Sequence, residues 1–102
     1  MIISVDEAKA HLRVENDEED AYISSLIKQA QAAAEDFTRV SFEGTDESGN
    51  AIPIPEPVQL AALLFVSHYY ENRDEPDRQL YTAMRTAFEQ LLYPYRDPEK
   101  MF

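Results

Sequence analysis

The chain has no cysteine, no tryptophan, only two glycines, and nine basic residues against twenty acidic ones. Without cysteine there are no disulfides, thiolate metal sites or cysteine nucleophiles, a composition compatible with a reducing cytosol. The shortage of Lys and Arg leaves a formal net charge of −11. That charge argues against gripping the outside of duplex DNA, which needs cations on the phosphates, and against anionic membrane surfaces. It favours solubility and opposes compaction by self-repulsion. Gly44 and Gly49 do not lead into a Lys and a helix start, so no phosphate-binding loop is predicted. The apolar run from Val58 is far too short to span a bilayer. Asp6 falls early in the chain, so no signal peptide is expected.

Catalytic patterns are missing too. His11 and His68 belong to different elements. His68 and Glu71 stand one turn apart, but a metal needs more ligands than two. No serine sits in a G-x-S-x-G elbow. The many acid pairs are what solvated faces of so acidic a chain contain. No cofactor and no enzymatic activity are expected.

What is present is 102 residues, 44% of them hydrophobic, enough for one domain with a single modest core. The segment EPVQLAALLFVSHYYENR, residues 56–73, is the most apolar. From Val58 to Val66 only Gln59 is polar, so no helical face is clearly left for water. Pro57 suits a first helical turn. The spacing predicts a central helix near 57–72, buried on nearly every side.

The other segments are expected to cover it. Ser4 and Glu7 form an S-x-x-E capping box, with Ile3 and Ala8 at staple positions, and predict a helix near 4–13. The acidic run Glu15–Asp20 lacks the spacing of a calcium loop. It reads as a solvated cap, through Asn16 with Glu19 or Asp17 with Asp20. Ile23, Leu26, Ile27, Ala30, Ala34 and Phe37 recur at three and four, predicting a helix near 17–39 with Ser24, Lys28, Gln31 and Glu35 on its other side. Residues 41–55 hold both glycines and read as a protruding loop or short hairpin. A last helix near 79–93 starts at Pro76 or Asp77 and ends at Pro94. The fold class is all-α: one domain over 1–102, four helices around a buried central one, with a tail over 94–102. Leu63, Leu64, Ile27, Phe37 and Phe88 are the expected core.

Three stretches carry a resemblance. IISVDEAKAHLRVENDEEDAYISSLIKQAQAAAEDFT has an aliphatic start, E-A-K-x-H-L-R-V, an acidic run, D-A-x-I and an Ala-rich helix. PEPVQLAALLFVSHYYENRD has a proline-led helix with an aromatic-E-N-R ending, and LLYPYR closes the series. In this order the three resemble the small head–tail connector proteins of tailed double-stranded DNA phages. The resemblance implies a structural virion protein at the head–tail junction, made in the bacterial host cytoplasm from a phage or prophage genome. It implies a homo-oligomeric ring of roughly twelve copies, matching the portal protein above and meeting a tail-side completion protein below. Genome DNA would pass without tight binding, as an excess of carboxylates allows.

Rings need two dissimilar patches on each subunit. Exposed apolar groups on a charged protein mark contacts. The candidates are Phe42, Ile52 and Ile54 in the loop, and Tyr93, Tyr95, Arg96, Met101 and Phe102 at the end. The alternative for these residues is that they fold back over their own domain. The alternative for the whole chain is an acidic DNA mimic that inhibits a DNA-processing partner. A DNA-binding helical module is disfavoured by the sparse, scattered cations.

Overall fold

Four helices form where the periodicity places them. A computed structural model describes residues 2–44, 48–51, 53–74 and 76–97. In it α1 is Val5–Leu12, α2 Asp20–Thr38, α3 Glu56–Glu71 and α4 Arg78–Leu92, followed by a 3-10 turn at Tyr93–Tyr95. Within 41–55 the described residues form no strand beyond a single bridge at Ala51.

Local chemistry sets the ends. At α1 the capping box closes both ways: Glu7 N–H donates to Ser4 Oγ at 3.0 Å, and Ser4 N–H to Glu7 Oε1 at 3.3 Å. Asp77, not Pro76, caps α4, accepting from the N–H groups of Gln79 and Leu80 at 2.9 and 3.1 Å. Pro57 takes the first turn of α3, where no N–H is missed. Helix α2 corrects the expected cap. Its N-cap is Glu19 and no side chain closes it. Asn16 instead accepts from Glu18 N–H at 3.1 Å. The Lys9 ammonium bridges Asp17 and Asp20 at 2.7 and 2.8 Å, fastening the acidic turn to α1.

Helix α3 packs against α1, α2 and α4. Val58, Ala61, Ala62, Phe65 and Val66 turn inward and meet Ile23, Leu26, Ile27, Ala30 and Ala34 of α2 and Met84, Phe88 and Leu92 of α4. Alanines on both α2 and α3 let these helices approach closely. Ile2, Ile3 and Ala8 complete the core, and the Phe65 and Phe88 rings sit 5.6 Å apart. The molecule is a slab, 39 × 32 × 18 Å.

The slab corrects part of the expected core. Ile27 and Phe88 are fully buried, but Leu63, Leu64 and Phe37 are only half-buried. Leu60 is 45% exposed. Three neighbouring helices cannot surround a fourth, so α3 keeps one open strip through Leu60, Leu64, Ser67 and Glu71. Leu64→Ala is therefore expected to cost about 1 kcal/mol, below the ~2–5 kcal/mol of a fully buried leucine. Urea titration reads the difference, and a loss above 2 kcal/mol would return Leu64 to the core.

Gln31 also departs from expectation. It faces inward, 8% exposed. Its Oε1 accepts from Ile2 N–H at 2.7 Å, and its Nε2 donates to Glu43 Oε1 at 2.9 Å. Glu35 Oε2 accepts from Phe42 N–H at 2.7 Å. Two polar residues of α2 thus hold the start of the chain at Ile2 and the start of the loop against the helices. The hydrogen bond from Gln31 holds the Glu43 carboxyl below its ordinary pKa.

Candidate functional site

A groove of about 620 Å³ opens at the corner where α3 turns into α4. Its walls are Tyr22, Leu26 and Gln29 from α2, His68, Tyr69 and Asn72 from α3, and Tyr81 from α4, with Arg73, Asp77 and Arg78 at the rim. The spacing of α3 and α4 generates it. His68 and Tyr69 end one helix, and Tyr81 lies one turn into the next. Their rings gather, His68 edge-on to Tyr69 at 5.1 Å, Tyr81 at 6.0 Å from His68 and 6.5 Å from Tyr69. Burial raises the Tyr69 hydroxyl pKa, with Tyr81 adding to it, so Tyr69 stays neutral. The groove offers aromatic faces, amide donors and a cationic rim. That is binding chemistry. Among the described residues no three His, Cys, Asp or Glu side chains gather as a metal site.

One wall is latched across the molecule. The Arg73 guanidinium pairs with Glu19, whose other oxygen accepts from the Tyr70 hydroxyl at 3.0 Å. Arg73 also lies over the Tyr22 and Tyr70 rings, at 5.3 and 5.1 Å from their centroids. An acid of the run read as a solvated cap thus ties the start of α2 to the end of α3. The hydrogen bond from Arg73, then that from Tyr70, lowers the Glu19 pKa. A carboxyl depressed on folding stabilises the fold above its unfolded pKa, ordinarily near 4.5, and that stability is lost as pH falls through the lower folded value. Glu19→Gln should therefore lose a little stability at pH 7 and show a shallower loss below pH ~4.5 than the parent. Acid titration followed by circular dichroism checks this, and parallel curves would remove Glu19 from the latch.

Of the expected contact residues, Tyr93, Tyr95 and Arg96 lie towards the other end of α2. Phe42 is in the core, 8% exposed. It folds back over its own domain. Ile54 and Tyr95 are half-buried against the core. Tyr93 is the outward one, 65% exposed. Arg96 stacks on Phe37 and Tyr93, at 4.9 and 5.4 Å from the ring centroids. Tyr93, Tyr95 and Arg96 thus form one cluster beside the end of α2, where Asp97 N–H donates to Thr38 O at 2.8 Å. Phe42 and Ile54 are not brought into an exposed patch with them. Ile52, Met101 and Phe102 lie outside the described residues.

Sequence reasoning did not single out the aromatic groove or the open strip of α3. Beside that strip Leu80 is 51% exposed, and Leu64, Leu80 and Met84 share a shallow cleft. The signal for the groove was the polar and aromatic ending of α3, His68–Arg73. The signal for the strip was an apolar run longer than the neighbours could cover.

The family model described as phage gp6-like head-tail connector protein matches residues 2–97. No curated protein matches the chain, and no solved structure does.

Proposed function

The chain belongs to the phage gp6-like head–tail connector family, and from that premise we propose that copies of it close into a ring below the portal. The ring would complete the head after DNA packaging and present the surface on which the tail docks. The match over residues 2–97 carries this reading. It makes the chain a phage structural protein of the head–tail junction. Ring closure, a count of roughly twelve to suit the portal, and direct contacts with portal and tail-side completion protein are the proposed refinements.

Two features of the fold support them. A closed ring needs heterologous contacts between unlike patches. This chain has unlike surfaces towards the two ends of α2, the aromatic groove and the Tyr93–Arg96 cluster, with the Leu60–Leu64–Leu80 strip between helices as a third apolar surface. The excess of acidic residues, twenty against nine, would let genome DNA pass a ring without adhering.

Electron microscopy of the purified chain, alone and with its portal, tests the proposal. Rings or portal-bound collars are expected. A chain that stays monomeric at high concentration and ignores the portal overturns it. A gel shift of duplex DNA by the isolated chain at physiological salt would overturn the charge argument. Truncation after Arg96 should leave the helical dichroism unchanged and weaken assembly. Undiminished assembly would move the interface onto the helices.

A further inference from the structure

We propose that the aromatic groove at the α3–α4 corner receives residues 98–102 of a second copy of this chain. The inference rests on the ring reading and names the contact that would make the ring directional.

Position is the first argument. Asp97 is held beside Thr38, at the C-terminal end of α2. The groove is built from Tyr22, Leu26 and Gln29 in the first half of α2 and from Tyr81 near the start of α4. At 1.5 Å per residue, Thr38 and Leu26 are about 18 Å apart along the helix. The span from Tyr93 back to Tyr81 is also about 18 Å. Five fully extended residues reach about 17 Å. A segment leaving Asp97 would use its whole length along the slab and have none left to seat two side chains in its own groove. The same segment from a copy set head to tail starts next to the groove. The segment's point of departure at Asp97 and the groove lie at opposite ends of α2, and would serve as the two unlike patches that a closing, heterologous contact requires.

Chemistry is the second argument. The segment reads Pro98, Glu99, Lys100, Met101, Phe102. Two neighbouring apolar side chains, a thioether and a phenyl ring, suit a cavity walled by three tyrosines. A methionine sulfur is favourable at about 5 Å from an aromatic ring, and a phenyl ring packs tilted or edge-on against tyrosine. The groove volume, about 620 Å³, lies within the range of about 300–1,000 Å³ that holds ligands of this size.

Charge is the third argument. Two chains of −11 repel, so a contact between them needs local complementarity. The rim concentrates Arg73 and Arg78, two of the nine basic residues. Arg73 is held by Glu19, whereas Arg78 has no ion pair among the described residues. Glu99 of the incoming segment supplies one. Lys100 faces the Asp77 carboxylate on the same rim. One copy's short segment, with apolar Met101 and Phe102 and the carboxylate of Glu99, thus meets both the aromatic walls and the Arg78 charge.

The absence of cysteine makes a clean test. The double variant Gln29→Cys, Met101→Cys is oxidised in solution and, separately, on the portal. A ladder of linked dimers, trimers and higher forms is expected, and an intramolecular bond confined to the monomer overturns the proposal. A labelled peptide of residues 96–102 is titrated in parallel onto the full chain. Saturable binding is expected, weakened at least tenfold by Tyr81→Ala and by Arg78→Glu and unchanged by Leu60→Ala. Peptide binding that ignores the first two variants places the segment elsewhere and overturns the groove. The two readings fail separately. Rings without a ladder and without peptide binding leave the connector reading and remove this contact. Peptide binding by a chain that forms no ring and ignores the portal keeps the contact and removes the ring.

Discussion

Replacing Phe88 by alanine is expected to cost about 3–5 kcal/mol, the range for emptying a buried aromatic site. A domain of this size has roughly 5–15 kcal/mol in total, so the variant sits at the edge of folding. Phe88 is fully buried. Its ring lies 5.6 Å from that of Phe65, and the Arg85 guanidinium closes over its other side at 5.1 Å. It therefore joins the two helices that share the largest contact in the molecule, α3 and α4. Urea titration measures the loss. Tyr93→Ala, at a residue 65% exposed, is the control and should stay within about 0.5 kcal/mol. A Phe88 variant as stable as the control would mean that α4 does not dock as described.

Phe42→Ser is expected to act on folding, at a cost of about 3 kcal/mol. The sequence makes Phe42 a natural candidate for contact with a neighbour, since it follows α2 in an irregular, glycine-bearing stretch. The structure turns it inward, 8% exposed, and fixes its N–H on Glu35 at 2.7 Å. The serine hydroxyl would enter an apolar site and bring no partner with it, which adds to the lost packing. Thermal melts at low concentration, where copies do not meet, should drop by about 4–8 °C for each kcal/mol lost. An unchanged melt combined with lost ring formation would return Phe42 to the surface.

The helices were legible because their ends carry chemistry within three or four residues. Ser4 and Glu7 start one helix, Asp77 another, and Pro57 and Pro94 mark a beginning and an end. Glu19 was not legible as a latch. Five polar or acidic residues share its run, Glu15 to Asp20, and its partner Arg73 is 54 positions away. Gln31 was misplaced for a related reason. On a helical projection it falls among Lys28 and Glu35, and nothing local shows that the chain's own start and the loop after Ser41 will arrive with a donor and an acceptor. The central helix shows a third limit. An apolar run records that Leu60 and Leu64 avoid water, but not whether their cover comes from the same chain. Of the proposed contact residues, Tyr93, Tyr95 and Arg96 come together beside α2, whereas Phe42 turns inward and Ile54 packs against the core.

The 18 Å thickness of the slab has a thermodynamic consequence. Helices pack with their axes about 8–10 Å apart, so this thickness holds about two layers of helices and every helix has a side at the boundary. A domain this thin spends much of its apolar surface at its boundary, and any copy that docks there removes from water what a thicker domain would bury alone. Docking and folding then draw on the same apolar area, and mass action links them. The melting temperature of such a chain should climb with its own concentration.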